Sequence, residues 1–267
     1  MLTFVGLGLY DERSITVAGR DAVRSADRAF AEAYTSRLVG ADLAAVERFH
    51  DIEIERRSRA GVEQDPSPIL DAAADGDAVF LTAGDTMIST THVDLRLRAH
   101  ERGIDTRVIH GTTAQTAASG LTGLQNYRFG KATTLPFAYA HAGAGVPDSV
   151  VETIGDNADR GLHTLVYLDI RVGDDTATGP DRDGDEYMTA SRAAERLAER
   201  FSDRLAVGVA RAGAPDPFVR GDTLSALAEV DFGDPLHLLV IPGDLHHVEA
   251  DALAALADAP DELLIVD

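Results

Sequence analysis

The chain has 267 residues, with 45 Asp and Glu against 24 Lys and Arg, no cysteine and a formal net charge of −21. Without cysteine there can be no disulfide, thiolate metal site or cysteine nucleophile, and the acidity argues against direct binding of nucleic acid, which proteins engage through clustered Lys and Arg. No apolar run reaches the roughly 20 residues that a membrane-spanning helix needs, and no basic leader follows Met1, so we expect a soluble cytoplasmic protein without a membrane partner.

Apolar segments alternate with helical patterns over residues 1–118. The first is a buried strand over residues 2–5, which runs into the turn Gly6-Leu7-Gly8-Leu9. Strands that alternate with helices of this length indicate βαβ units, so this part is predicted to be an open parallel α/β domain. Further strands are predicted at 28–31, 52–54, 78–82 and 106–109, and helices at 14–26, 67–74 and 90–101.

The alternation restarts after a Gly-rich segment over residues 119–130, which predicts a second α/β domain over 119–267. Its strands are predicted at 132–135, 164–169, 205–209 and 237–241, and its helices at 148–160, 189–201, 222–228 and 245–257. Residues 173–187 consist mainly of Gly, Pro, Thr and acidic side chains, which cannot bury apolar surface, so a solvated acidic loop is expected there. The predicted fold class is α/β with two domains.

The turn after the first strand has some features of a dinucleotide-binding loop. Asp11 stands where such a loop has its third glycine, and Glu12 follows it. Two negative charges beside a pyrophosphate disfavour NAD, whereas a ligand without phosphate remains compatible with this turn.

Metal chemistry has one weak candidate group in the sequence, His246, His247 and Glu249. These residues follow Gly243-Asp244 and stand where a helix is predicted to begin, which favours a capping role. We therefore predict no metal site.

The predicted strand over residues 78–82 leads into Gly84-Asp85. This turn would lie at the carboxyl edge of a parallel sheet, where open α/β proteins bind their ligands. Aspartate also caps helices, and a helical pattern follows here. The turn alone leaves both roles of Asp85 open.

Several ordered motifs resemble those of the diphthine synthase family, and they extend over nearly the whole chain. They are Gly6–Arg13, Ala31–Ser36, Gly84-Asp85 with Thr90–His92, Gly120–Leu124, Arg160–Thr164, Leu168–Ile170, Ala210–Gly213, Asp231–Pro235, and Pro242-Gly243 with His246. One departure is Gly84-Asp85-Thr86, where the wider superfamily usually has Gly-Asp-Pro.

The resemblance implies a fold similar to that of the tetrapyrrole methylases, with S-adenosylmethionine bound in a cleft between two α/β domains, usually in a homodimer. Mostly small or apolar side chains would line the cofactor. Carried over position by position, the cofactor contacts would be Leu9, Asp85, Ile88, Thr113, Ala114, Leu168, Ala212 and His237.

The implied reaction is methylation of the amino group of a modified histidine on elongation factor 2, repeated in archaeal-type relatives to a trimethylammonium group. The resemblance identifies no catalytic residue. His92 and Asp169 lie near the right strand ends and fit a basic or a structural role equally well. Two alternatives are a methyltransferase acting on precorrins and a non-catalytic ligand-binding protein of the translation machinery.

The charge pattern predicts adaptation to high salt, because Lys131 is the only lysine in an otherwise acidic chain. Salt shortens the Debye length from about 10 Å at 0.1 M to about 3 Å at 1 M and thereby screens repulsion between carboxylates. We expect the melting temperature to rise from dilute buffer to molar salt, as measured by thermal melts across a salt series. A melting temperature independent of salt would contradict this prediction.

Overall fold

A computed structural model of the chain describes residues 1–32, 34–140, 145–171 and 184–266. They form two compact units, with residues 1–113, 171 and 184–185 in the first and residues 114–170 and 186–266 in the second. The predicted boundary between residues 118 and 119 lies inside a helix, Ala114–Thr122, whose apolar side chains pack in the second unit.

The first unit is a parallel sheet covered by helices on both faces. Its strands are β1 (Leu2–Gly6), β2 (Arg28–Glu32), β3 (Ile54–Arg57), β4 (Ala78–Thr82) and β5 (Thr106–Ile109), and its helices are α1 (Val17–Ser25), α2 (Leu43–His50), α3 (Arg59–Glu63), α4 (Ser67–Asp75) and α5 (Val93–Glu101). The strand order is β3-β2-β4-β1-β5, and every neighbouring pair is parallel.

Successive side chains of these strands point to opposite faces, and each face has its own apolar core. Phe4 and Phe80 pack with α4 and α5 on one face, and Val5 and Leu81 pack with α1 and α2 on the other. The helices that follow the neighbouring strands β1 and β4 therefore diverge to opposite faces. Such a divergence is a topological switch point, and it leaves a crevice at the carboxyl ends of the two strands.

The second unit is built on a mixed sheet. The strands of this sheet are β6 (Thr133–Leu135), β7 (Thr164–Leu168), β10 (Leu205–Ala210), β11 (Phe218–Thr223) and β12 (His237–Ile241), while β8 (Ile170–Arg171) and β9 (Glu186–Tyr187) form a separate two-stranded sheet. The helices of the second unit are α6 (Ala114–Thr122), α7 (Asp148–Ala158), α8 (Ala190–Phe201), α9 (Leu224–Leu227) and α10 (His247–Ala257). The main sheet has the order β11-β10-β12-β7-β6, in which only β6 and β7 are parallel. Helices α7, α8 and α9 cover one face, and α6 and α10 cover the other. The predicted α/β fold class is confirmed.

Three helices differ from the prediction for identifiable reasons, and β3 begins at Ile54 instead of residue 52. Helix α5 begins at Val93 instead of residue 90, because the Thr90 hydroxyl and His92 Nδ1 both donate to the carbonyl oxygen of Thr86 and hold the preceding segment as a loop. The helix predicted over 222–228 is shortened to α9, because residues up to Thr223 pair with β10 as the unpredicted strand β11. Helix α2 was not predicted, although Asp42 caps it through a bond to the backbone N–H of Ala45.

The predicted acidic loop over residues 173–187 falls largely outside the described residues. Its last two residues, Glu186 and Tyr187, form β9. In the parts of the chain that the structure describes, no helix has the length and apolar character needed to cross a bilayer.

A fully buried carboxylate, Glu249, fixes the amino end of α10. It accepts hydrogen bonds from the backbone N–H groups of Gln125 and His246 (both 2.9 Å), from Arg128 Nη1 (2.9 Å) and from His163 Nε2 (3.0 Å). Burial alone would raise the pKa of Glu249, but these hydrogen bonds outweigh it and hold that pKa below its usual value. The charged carboxylate thereby joins α10 to the segment after α6 and to the start of β7.

We expect Glu249→Gln to destabilise the protein by roughly 3 kcal/mol, because an amide cannot accept from all four donors and leaves Arg128 without its buried partner. Because the pKa of Glu249 is depressed on folding, its contribution is fully present above about pH 4.3 and is lost as the pH falls through the folded value. The difference in melting temperature from the wild type should therefore narrow in acid.

Glu262→Gln is the matched control, since Glu262 is exposed near the chain end. Its free energy of unfolding should lie within about 0.5 kcal/mol of that of the wild type. Equal melting temperatures for Glu249→Gln and Glu262→Gln at neutral pH would contradict the role given to Glu249.

Candidate functional site

The carboxyl ends of β1 and β4 continue to pair beyond the regular sheet. The backbone N–H of Leu7 donates to Thr82 O (2.9 Å), and Gly8 and Gly84 exchange two hydrogen bonds of 3.2 and 2.6 Å. This pairing brings the loops after the two strands together at the switch point. We call this region the carboxyl edge of the first sheet.

Glycine is required at this edge because backbones approach one another closely. A Cβ atom on Gly6 would lie 2.5 Å from Gly111 N, and one on Gly111 would lie 2.2 Å from Gly84 O. Gly84 itself has a φ of 77°, yet a Cβ there would find only Leu9 Cδ2 and Thr112 O, each at 4.0 Å. The edge thus has open space beside Gly84, bounded by side-chain and backbone atoms of the loops after β1 and β5.

Asp85 joins the loops after β4 and β5. Its buried carboxylate accepts from the backbone N–H of Met87 (2.8 Å) through Oδ1 and from that of Gly111 (3.1 Å) through Oδ2, and Oδ2 also lies 2.7 Å from His110 Nδ1. It does not cap the next helix, because α5 begins at Val93 with His92 at its cap position. The capping alternative for Asp85 is therefore wrong.

Four of the predicted cofactor contacts belong to the first unit. Leu9 follows β1, Asp85 and Ile88 follow β4, and Thr113 follows β5. All lie on one edge, because the carboxyl ends of parallel strands meet there. Ile88 is 41 % exposed, which is unusual for a large aliphatic side chain and fits an apolar contact with a ligand.

The other four predicted contacts share one end of the second sheet. Leu168 ends β7, His237 begins the antiparallel neighbour β12, and Ala210, paired with His237, is followed two residues later by Ala212. Ala114 begins α6, and the next residue, Gln115, is bonded to the Tyr167 hydroxyl (3.4 Å). The structure therefore brings these four residues to the same sheet end.

The imidazole of His237 is buried and bonded at both nitrogens. Nδ1 accepts from the backbone N–H of Ala190 (3.0 Å), and Nε2 donates to Asp234 O (2.9 Å). Burial lowers the pKa of His237, so the ring is neutral at neutral pH. It connects the start of β12 to the first turn of α8, and both of its polar atoms already have protein partners.

The two candidate bases differ in their surroundings. Asp169 accepts from the backbone N–H groups of Phe137 (2.9 Å) and Ile170 (3.0 Å), which is a structural arrangement. His92 is buried and bonded only through Nδ1, to Thr86 O (3.0 Å), and its Nε2 has no partner among the described residues.

Sequence reasoning missed the contribution of His110 and Gly111. These residues follow β5 directly and supply two of the three contacts to the Asp85 carboxylate. Their position just after a predicted strand, on the edge that carries Gly84-Asp85, was the available signal.

Two of the three candidate metal residues have structural roles instead. His246 caps α10 and Glu249 is fully engaged by its four donors. Within the described ranges, no group of three or more His, Asp or Glu side chains is placed to hold a metal ion.

Comparison with known proteins gives one consistent result. Residues 1–228 match the family model described as tetrapyrrole (corrin/porphyrin) methylases. A diphthine synthase from Halorubrum lacusprofundi is 73% identical over 264 residues, covering 99% of each chain, and one from Halobacterium salinarum is 71% identical over 265 residues, covering 99% of this chain and all of its own. A crystal structure of diphthine synthase aligns with a TM-score of 0.87 at 38% identity and covers 98% of each chain. The chain belongs to the tetrapyrrole methylase family and, within it, to the diphthine synthases.

Proposed function

We propose that this protein is an S-adenosylmethionine-dependent methyltransferase of diphthamide biosynthesis, which methylates the amino group of the modified histidine of elongation factor 2. The observation that carries the proposal is the identity of more than 70% to diphthine synthases over essentially the full length of both chains. The same relatives make a precorrin methyltransferase or a non-catalytic binding protein the less favoured alternatives.

The first sheet's carboxyl edge fits the cofactor. The backbone beside Gly84 is open, and the described loops after β4 and β5 carry no Lys or Arg to bind a phosphate, a group that S-adenosylmethionine lacks. The residues that would hold it are Leu9, Asp85, Ile88 and Thr113 from the first unit and Ala114, Leu168, Ala212 and His237 from the second. When bound, S-adenosylmethionine supplies an electrophilic methyl group.

Asp85 and His237 contribute mainly by fixing backbone. The carboxylate joins two loops of the first unit, and the imidazole joins β12 to α8 in the second. Because their polar atoms already bond to the protein, the cofactor would be recognised largely through backbone groups and shape. The rate of transfer would then come mostly from positioning and from the exclusion of water.

Further features of the function belong to the same proposal. Elongation factor 2 is the protein substrate, the transfer is repeated to give a trimethylammonium group, and the enzyme works in the cytoplasm as a homodimer. The net charge of −21 leaves nucleic acid without a direct role.

The direct test is incubation of the protein with S-adenosylmethionine and unmethylated elongation factor 2 precursor in molar salt, followed by intact-mass measurement of the factor. We expect successive additions of up to three methyl groups. Cofactor binding without any mass change would support the non-catalytic alternative, and methylation of a precorrin but not of the factor would support the tetrapyrrole alternative.

We expect Asp85→Ala to weaken S-adenosylmethionine binding at least about tenfold, because the loops that would carry the contacts lose the carboxylate that joins them. The variant should also lose about 1–3 kcal/mol of stability, since the partly buried N–H groups of Met87 and Gly111 lose their acceptor. Titration calorimetry at high salt, paired with a thermal melt, measures both effects.

Asp85→Asn separates charge from geometry, because its amide oxygen can keep one of the two backbone bonds. It should recover part of the stability but little of the affinity. Asp105→Ala, an exposed change at the opposite end of β5, is the control and should match the wild type in both measurements. Unchanged affinity in a folded Asp85→Ala variant would remove Asp85 from the site.

A further inference from the structure

Four buried polar atoms lack hydrogen-bond partners near the carboxyl edge of the first sheet. They are the hydroxyl oxygens of Tyr34, Thr82 and Thr86 and Nε2 of His92, none of which is bonded within the described part of the chain. Buried polar groups are nearly always paired, so such a group requires an explanation such as a ligand or an ordered water. We refer to the four residues as the polar cluster.

The hydrogen bond of His92 determines which nitrogen carries its proton. Nδ1 lies 3.0 Å from the carbonyl oxygen of Thr86, which can only accept, so Nδ1 is the donor. Burial lowers the pKa of His92, although the charge of Glu32 opposes this effect, and the ring is neutral at neutral pH. Nε2 therefore presents an unpaired lone pair.

The surroundings of this lone pair suit a cationic N–H donor. The ring of Tyr34 meets that of His92 edge to face, with centroids 6.5 Å apart, and burial, reinforced by Glu32, raises the pKa of Tyr34 so that its hydroxyl stays protonated. The charged groups that act on both rings are Glu32 and Glu63, which favour a cation, and Arg59, which opposes one. Arg59 is itself paired with Glu63 (3.3 Å), so the carboxylate of Glu32 is left to favour a cation here.

We propose that His92 is the catalytic base, and that the ammonium group of the acceptor side chain binds in the polar cluster by donating to His92 Nε2, beside the Tyr34 hydroxyl. This inference rests on the proposed methylation of an amine. Nε2 is buried, so the acceptor reaches it only when the exposed tip of the loop after β4 moves aside while Thr86 keeps its bond to Nδ1. The tip of that loop, Ile88 and Ser89, is exposed, and Ser89 has a left-handed φ of 57°.

An ammonium nitrogen has no lone pair, so one proton must leave it before each methyl transfer. The proton moves to His92 Nε2, and the nitrogen lone pair then forms the bond to the methyl carbon. The bond from that carbon to the donor sulfur breaks, and its electron pair stays on sulfur. The imidazolium returns its proton to solvent before the next transfer, so each methyl group added releases one proton.

A purely structural role of His92 would be to anchor the loop through Nδ1, and two variants separate this role from the proposed one. His92→Asn places an amide N–H near the position of Nδ1, which preserves the bond to Thr86 O, and removes Nε2. Tyr34→Phe removes only a hydroxyl that has no partner in the structure, so packing alone predicts no loss of stability. His100→Asn, an exposed change on the same helix, is the control.

The experiment measures single-turnover methylation of the elongation factor precursor from pH 6 to 9 at saturating S-adenosylmethionine, with melts and cofactor titrations of each variant. We expect His92→Asn to be about a hundredfold slower at pH 7, which is the lower end of the rate enhancement that a general base supplies. Its rate should rise about tenfold per pH unit while the wild-type rate stays nearly flat. Tyr34→Phe should be about two- to tenfold slower without melting earlier, and His100→Asn should match the wild type. Cofactor affinity should stay within about twofold throughout.

The proposal would be overturned if His92→Asn lost no rate, if its loss of rate were equal at every pH, or if that loss followed a loss of cofactor affinity. So would nitrogen NMR of the free enzyme showing the His92 proton on Nε2 at neutral pH. A wild-type protein that transfers no methyl group to the factor would instead refute the proposed function. If the wild type and His100→Asn are both active, any failure concerns the role of His92 alone.

Discussion

The carboxylate of Asp85 holds the carboxyl edge of the first sheet together. Gly6 and Gly111 allow three chain segments to approach more closely than any side chain would permit, and Asp85 fixes two of these segments through backbone N–H groups. Because its bonds run to backbone, the loops hold a defined shape and leave space beside Gly84. A cofactor without phosphate can be recognised by such a surface, since shape and backbone groups replace the helix-terminus contacts that a pyrophosphate needs.

The second unit uses buried polar groups in the same way, at both ends of its sheet. At one end the neutral imidazole of His237 connects β12 to α8. At the other end the Glu249 carboxylate accepts hydrogen bonds from four donors and anchors α10. Both groups are fully satisfied, so their hydrogen bonds offset the cost of desolvation while they fix the geometry. The polar cluster contrasts with them, because each of its four residues has one buried polar atom without a partner in the described part of the chain. This contrast is why we give His92 a chemical role and give His237 and Asp169 a structural one.

The sequence predicted the sheets well and the environment of the site poorly. Strands β4, β5 and β12 were predicted at their observed limits, because a short apolar run between turn residues indicates a buried strand. Strand β11 was missed, since Arg220, Gly221 and Asp222 interrupt its apolar pattern at the sheet edge. The position of Asp85 at a strand end was predictable, but its partners His110 and Gly111 are 25 and 26 residues away, and only the parallel register brings them together. The unpaired Nε2 of His92 depends on a loop bond that no periodicity reveals.

We propose that the methyl donor contacts the carboxyl edge of the first sheet and, in the second unit, the sheet end that carries Leu168, Ala212 and His237. Amide hydrogen exchange in molar salt, with and without S-adenosylhomocysteine, measures the protection of each unit separately. We expect protection of residues 7–11, 84–89 and 110–113 in the first unit and of 168–169, 210–213 and 236–238 in the second. Protection confined to other segments, such as the amino ends of β4 and β5 or the surroundings of Glu249, would contradict it.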